Sequence, residues 1–280
     1  MKLYDNQYKI VTYSALMLTK WGMLKEELMS GVYECEIIKN EKLTDSICSI
    51  LISAPQIAQK AAAGQFINIK CGEERLLRRP ISISRVINDE LLIVFEVKGE
   101  GTKWLSQRKP NESLDILGPL GKGFSVPEGK VILVGGGIGA PPLLFAADAS
   151  NAAFTAILGF RDAGKIILKS EFEASCENVY ITTDDGSIGI HGTVTKPLEE
   201  LLSREKYAAV ISCGPKPMLK AVAELSARFA VSCQVSLEER MGCGVGACVV
   251  CACATIVKGK DAMSRVCKDG PVFDAAEVVW

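Results

Sequence analysis

The stretch "GCGVGACVVCAC", residues 242–253, constrains the chain more than any other. It sets Cys243, Cys248 and Cys251 in a Cys-x4-Cys-x2-Cys spacing, and "RVCKDGPVF" brings Cys267 sixteen positions after Cys251. Thiolates spaced in this way on a glycine-rich loop can hold an inorganic cluster. Backbone amides turn toward its sulfides, and small residues let the loop close over it. Three clustered cysteines and a distant fourth are the spacing of plant-type [2Fe-2S] loops. Zinc also accepts four thiolates, but zinc sites usually come as two short Cys-x-x-Cys hooks, and here Cys267 stands alone. A [2Fe-2S] centre on Cys243, Cys248, Cys251 and Cys267 is the expectation. Cys253 lies on the same face of an extended chain as Cys251, about 6–7 Å along it. The spacing needs only three loop cysteines, so Cys253 is expected to be a buried non-ligand.

A chain of 280 residues can bury more than one core, which favours two or three compact units. With 32 basic and 33 acidic side chains the net charge is -1, so no nucleic-acid partner is implied. Thr12, Ser14, Thr19 and Lys20 interrupt any apolar run near the N-terminus, and no stretch reaches membrane-spanning length. A cytoplasmic location and no membrane partner are the expectations. An odd count of eleven cysteines suits a reduced compartment better than a disulfide framework. Cys35, Cys48, Cys71, Cys176 and Cys233 read as small buried hydrophobes. The one histidine, His191, lies in a glycine-rich turn, which argues against Ser-His or Cys-His hydrolase chemistry.

Residues 31–128 alternate short β-branched runs with turn residues, as in "DSICSILIS" and "ELLIVFEVKG", and predict an antiparallel barrel or sandwich, of which the barrel is the expectation. Residues 129–231 alternate strand-like and helix-like stretches, from "KVILVGG" to "KPMLKAVAELSARFA", and predict a parallel sheet with right-handed crossovers. Residues 232–280 are rich in cysteine and small residues, with little core of their own, and depend on the metal centre for their fold. The fold class is thus multidomain α/β plus β. Residues 1–30 form an extension with no readable role.

Two further motifs carry chemistry. In "RRPISIS", Arg79 can grip a pyrophosphate with paired donors, Pro80 fixes a turn, and Ser82 can bond the polar edge of a flat ring. "VKGEGTKWL" follows, with Gly101 permitting close backbone approach and Thr102 opening a helix-like run. In "KVILVGGGIGAPPLL", Gly135, Gly136, Gly137 and Gly139 lie between a strand and a helix, where backbone amides reach a dinucleotide pyrophosphate. "LGFRD" offers both Arg161 and Asp162, which leaves NAD and NADP open there; "TTDDGSIG" lies where a member of the ferredoxin reductase superfamily, which these motifs resemble, would contact the adenosine half, and Asp184 or Asp185 there would disfavour an extra phosphate and tilt the choice to NAD. "CGPKPM" ends a strand at Cys213; it resembles the Cys-Gly-Pro strand end of the ferredoxin reductase superfamily, which implies a wall of the hydride-transfer pocket, and the alternative is a buried strand-end thiol.

The barrel motifs resemble those of the ferredoxin reductase superfamily, although Ile81 stands where many members carry an aromatic residue. The order of "LLRRPISIS", "LGPLGKGF", "VGGGIGAPPLL", "TTDDGSIG", "CGPKPM", "SLEERMGCGVGACVVCAC" and "RVCKDGPVF" makes residues 32–280 similar to the electron-transfer subunits of bacterial NAD-dependent (class 1B) dihydroorotate dehydrogenases. In that family Ile81 is normal. The resemblance implies FAD on Arg79, Pro80, Ile81 and Ser82, along Val94, Phe95 and Glu96, and at Gly101 and Thr102. It implies NAD as substrate and an FMN-containing catalytic subunit as partner in a heterotetramer of two of each. Electrons from dihydroorotate oxidation would reach NAD+ through [2Fe-2S] and FAD, in pyrimidine synthesis. The alternatives are a flavin and iron-sulfur NAD(P)H reductase subunit serving another acceptor, of hydrogenase or sulfite reductase type, and, from another class, a zinc-stabilised binding module.

Overall fold

The computed structural model describes residues 31–280. Six strands, β1 Gly31–Lys42, β2 Ile47–Ser53, β3 Phe66–Ile69, β4 Arg79–Ile87, β5 Glu90–Glu96 and β6 Ser113–Leu120, close into an antiparallel barrel in the order β1-β2-β5-β4-β3-β6. Their alternation explains the closure. Ile50, Ile52, Ile67, Ile69, Ile83, Leu91 and Ile93 are all fully buried in one core, and a closed barrel leaves no edge strand exposed. Strand β3 is covered on both faces: Ile67 and Ile69 belong to the barrel core, whereas Phe66 packs into a second core shared with the C-terminal part of the chain. The register shifts between Phe66 and Asn68 and between Ile83 and Arg85, irregularities of the kind that re-aim side chains beside a site.

The second layer is a seven-stranded sheet built from β7 Lys130–Gly136, β8 Ala153–Phe160, β9 Asn178–Thr183, β10 Ile190–His191, β11 Ala209–Cys213, β12 Ser232–Ser236 and β15 Val272–Asp274, in the order β10-β9-β8-β7-β11-β12-β15. All its pairings are parallel except β12 with β15. Helix α1, Glu100–Ser106, follows the barrel strand β5, and α2, Pro141–Asp148, follows β7. Pro141 and Pro142 suit the first turn of α2, where the missing amides have no intrahelical partner. Strand order reverses at β7, with β8 on one side and β11 on the other. In open α/β sheets that point, at the carboxyl ends of the strands, is where a crevice opens for ligands.

The sheet runs beyond residue 231, where the sequence reading ends the nucleotide domain. Strand β12 pairs along β11 from Ala209↔Ser232 to Cys213↔Ser236, and β15 returns from near the C-terminus as its last strand. What remains of the C-terminal region is the cysteine loop and the hairpin of β13, Ala252–Val257, with β14, Lys260–Arg265. Hydrophobic patterning alone cannot assign a strand to one of two adjacent sheets, and here the pairing partners do so. Among the described residues no helix is long and apolar enough to cross a membrane.

A strap ties the barrel to the parallel-sheet layer. Arg85 on β4 makes a two-pronged contact with Asp148 at the end of α2, through Nε to Oδ2 and through Nη2 to Oδ1 at 3.0 Å, and Ser175 Oγ also donates to Asp148 Oδ1 at 2.7 Å. Both charged side chains are about three-quarters covered, at 23% and 25% exposure. Arg85→Met is expected to cost about 1 kcal/mol, the upper range for a partly exposed pair. Differential scanning calorimetry should then show a melting midpoint about 2–4 °C lower.

Candidate functional site

A cleft of about 500 Å³ opens on the barrel where β4 and β5 face the parallel sheet. Pro80, Ile81 and Ser82 from β4 and Val94, Phe95 and Glu96 from β5 line it, together with Thr102 from α1 and Cys213 from the end of β11. Strands β4 and β5 meet there because they are neighbours in the barrel, although the motifs lie more than ten residues apart. Arg79 and Gly101 sit beside the cleft rather than in its wall. A Cβ built on Gly101 would lie 2.5 Å from Arg79 Nε, so the bare glycine is what lets the guanidinium lie across the start of α1. Thr102 caps that start: its Oγ1 accepts from Lys98 N at 3.0 Å and Gly99 N at 3.2 Å. A flat apolar floor, one hydroxyl and an adjacent cation suit a ring system bearing phosphates, and the residues fit FAD.

A second cleft, of about 650 Å³, lies at the reversal point of the sheet. Gly136, Gly137 and Gly139 line it from one side and Gly214, Pro215 and Met218 from the other, with Arg161 and Asp184 further out. Gly139 has no room for a side chain, since a Cβ there would lie 2.4 Å from Cys213 O and 2.6 Å from Gly214 Cα. The turn after β7 and the turn after β11 thus pack backbone to backbone. Gly135 does not reach the cleft. It is buried, with a Cβ position 3.0 Å from Ala140 Cα and 3.2 Å from the Leu143 side chain, which makes it a packing residue between strand and helix. Asp185 also stays outside the lining. Its carboxylate sits in its own exposed turn, where the Ser187 hydroxyl first and then Ser187 N, donating at 2.9 Å, hold its pKa below the usual range, and Asp184 lines the cleft instead.

The two clefts adjoin. Glu96, Lys98, Ile138 and Glu238 line both, and Lys98 Nζ lies 3.0 Å from Glu96 Oε2. Cys213, 4% exposed, stands in the wall of the first cleft, where burial pushes its thiol up to about 12, with the Glu238 charge adding to the shift. It is a neutral, compact wall rather than a nucleophile. Sequence reading missed Glu238, Lys98 and Ile138. "SLEER" carries no catalytic spacing, and Glu238 reaches the clefts only because β12 extends the parallel sheet and ends beside Cys213.

The four cysteines expected as ligands form two pairs at the loop. Cys243 N donates to Cys248 Sγ at 3.3 Å, while Val245 N, Ala247 N and Cys248 N donate to Cys243 Sγ at 3.3–3.4 Å. Desolvation opposes ionisation of Cys243, but these amides and the Cys248 side chain outweigh it and bring its pKa down to about 6. In the other pair Cys267 N donates to Cys251 Sγ at 3.4 Å. Burial, then contact with Cys251, pushes the Cys267 thiol up to about 12. Among the described residues no three His, Cys, Asp or Glu side chains converge on a single ion. A pair-and-pair donor set with amides aimed at sulfur fits a two-iron cluster better than one tetrahedral zinc.

Arg265 locks the two parts of this loop together. Its Nη1 donates to Gly246 O at 3.1 Å while Nε and Nη2 grip Asp269 at 2.9 and 3.2 Å, on either side of Cys267 in sequence. Cys253 lies on β13 opposite Ser264, buried in the core shared with Val235, Leu237 and Val278. It takes part in no hydrogen bond with the other four thiols among the contacts of the loop.

With this geometry in place, similarity to known proteins can be read. A family model described as "Iron-sulfur cluster binding domain of dihydroorotate dehydrogenase B" matches residues 238–279. The chain is 40% identical to the "Dihydroorotate dehydrogenase B (NAD(+)), electron transfer subunit" of Desulforamulus reducens, over 90% of this chain and 100% of that protein. It is 45% identical to the subunit of the same name from Caldanaerobacter subterraneus, over 79% of this chain and 89% of that one. Among solved structures, an NADH-dependent reduced ferredoxin-NADP oxidoreductase superimposes with a TM-score of 0.80 at 30% identity, covering 90% of this chain and 92% of that one. A ferredoxin reductase of carbazole 1,9a-dioxygenase, at 22% identity and a TM-score of 0.60, shares the fold over 72% of this chain and 66% of its own.

Proposed function

Because the chain belongs to the family of dihydroorotate dehydrogenase B (NAD(+)) electron transfer subunits, we infer that it is the NAD+-facing half of a dihydroorotate-oxidising complex. In this reading the partner is an FMN-containing catalytic subunit, two of each chain forming a heterotetramer in the cytoplasm, and the work belongs to pyrimidine synthesis. FAD and a [2Fe-2S] cluster are the resident carriers. When bound, FAD exchanges a hydride with NAD+ and single electrons with the cluster.

The chain's own residues supply position and electrostatics. Pro80, Ile81, Ser82, Val94, Phe95, Glu96 and Thr102 would cradle the flavin ring, with Arg79 over Gly101 holding its phosphates. Gly136, Gly137 and Gly139 would present amides to the dinucleotide, and Asp184 beside Arg161 favours the free ribose hydroxyl of NAD. Cys243, Cys248, Cys251 and Cys267 would hold the cluster. The observation that carries the reading is that the two clefts share Glu96, Lys98, Ile138 and Glu238. Two rings in adjoining clefts can approach within reacting distance, about 3–3.5 Å, which hydride transfer requires.

The test is direct. Anaerobically purified protein should show flavin and iron-sulfur absorption, and on co-purification with an FMN subunit it should reduce NAD+ at the expense of dihydroorotate. A colourless protein, or a coloured one that never couples dihydroorotate to NAD+, refutes the assignment. Gly101→Ala offers a finer check. The added methyl would push Arg79 aside, and retention of FAD is expected to weaken about tenfold, equal to about 1.4 kcal/mol. Flavin fluorescence released on dialysis would measure it.

A further inference from the structure

Asn68 is the one large polar side chain on β3, and it is 1% exposed with neither Oδ1 nor Nδ2 partnered among the described residues. Its backbone is in order, since the carbonyl accepts from Arg78 Nη1 at 3.3 Å and the residue pairs with Pro80 on β4 and Leu117 on β6. The side chain belongs to the face of β3 that turns away from the barrel core. Ile67 and Ile69 fill that core, while Phe66, two residues before Asn68, lines the first cleft.

What Asn68 meets on that face is the cysteine loop. A Cβ built on Gly244 would lie 2.5 Å from Asn68 Nδ2 and 3.5 Å from its Cγ, and the next atom it would meet is Leu120 Cδ1 at 3.4 Å. Gly244 has a φ of 75° and no side chain, so the amide can press against the loop directly beside Cys243. Four polar groups of the loop are committed elsewhere: the amides of Val245, Ala247 and Cys248 point at Cys243 Sγ, and Gly246 O accepts from Arg265. A buried carboxamide left unpaired is costly, and the chemistry that sits beside Cys243 when the protein is loaded is an electron-rich sulfur.

We propose that Asn68 is the barrel's hydrogen-bond donor to the iron-sulfur cluster, its Nδ2 group donating to a cluster sulfur at the Cys243 end. The inference rests on the cluster reading above and goes beyond it by assigning a residue from the flavin domain to the cluster. A donor to sulfur favours the more negative, reduced state and raises the reduction potential. Asn68 thereby biases electrons onto the cluster, from a strand that also lines the flavin cleft.

The experiment uses the full chain. Asn68→Leu, close in volume and without a donor, is expected to keep iron and acid-labile sulfide at parental content. The ratio of reduced to oxidised cluster at a given potential should fall about tenfold, a shift of about 59 mV downward for one electron, with the flavin potential unmoved. An unchanged cluster potential, or a shift confined to the flavin, overturns the proposal. If the variant does not assemble a cluster, the parent decides: pulsed EPR of the reduced protein grown with side-chain 15N-asparagine should show a nitrogen coupling, and its absence overturns the proposal. A parent without iron would overturn the cluster reading itself, a result distinguishable from a loaded parent with no coupling.

Discussion

Cys267→Ala is expected to abolish the iron-sulfur absorption and to bring iron and acid-labile sulfide to background, whereas Cys253→Ala keeps both. The two thiols are equally cysteine and both buried, at 2% and 8% exposure, so burial does not separate them. Contact does. Cys267 lies against Cys251, with its backbone amide 3.4 Å from Cys251 Sγ, and the Arg265 clamp to Gly246 and Asp269 holds its turn against the loop that carries Cys243 and Cys248. On the proposed ligand set, alanine there would leave only three thiolates to hold the cluster. Cys253 shares a hydrophobic core with Cys251 and Cys267 but takes part in none of the loop's thiol hydrogen bonds, and loss of its sulfur atom costs about 1 kcal/mol, the usual size for a modest core change. Iron analysis and visible absorption of the two variants purified in parallel check the contrast. A Cys267→Ala protein that retains its cluster would return Cys253 to the ligand set.

Gly139→Ala is expected to lower NAD+ reduction about 100-fold, the scale of a displacement of roughly 1 Å near a reacting pair, while flavin and iron content stay at parental values. The methyl group would lie 2.4 Å from Cys213 O and 2.5 Å from Cys213 C. Those are backbone atoms of the neighbouring strand end and cannot swing away as a side chain can. The turns after β7 and β11 must separate, and the floor of the nucleotide cleft moves with them, at an overpacking cost of about 1–3 kcal/mol. Gly259, in the turn between β13 and β14 and outside both clefts, is the internal control. It has a φ of 74° with nothing within 4 Å of its Cβ position, so Gly259→Ala carries only left-handed strain, about 1–2 kcal/mol, and should retain most of the activity. Steady-state NAD+ reduction, normalised to bound flavin, separates the two. Equal activity in both variants would refute the backbone contact as the feature that shapes the cleft.

Both predictions start from motifs visible in the chain and are completed by neighbours that are not. The strand pattern of residues 31–120 announces antiparallel strands, in a barrel or a sandwich, because a two-residue alternation is a local property. The glycine run at residues 135–139 announces a phosphate turn for the same reason. Yet the reading treats Gly135 with the glycines of the cleft, and only packing against Ala140 and Leu143 shows its different task. Asp185 and Asp184 are adjacent and chemically identical, and a hydrogen bond to Ser187 N turns the first back into its own loop while the second lines the cleft. Local sequence holds no information on such a choice.

The spacing Cys-x4-Cys-x2-Cys pointed by itself to iron-sulfur chemistry, because the approach of thiols on a tight loop is set by residues a few bonds apart. The two alternation periods likewise determined antiparallel strands followed by a parallel sheet, and strand pairing closed the first set into a barrel. Only the tertiary structure decided which residues share a space: Glu238 with Cys213, Glu96 with Ile138, and Asn68 with Gly244. These pairs are brought together by strand order and by the return of the C-terminal segment to the sheet edge. Long-range contacts of that kind follow from how whole faces are buried, a condition met by the chain as a whole and not by any window of it.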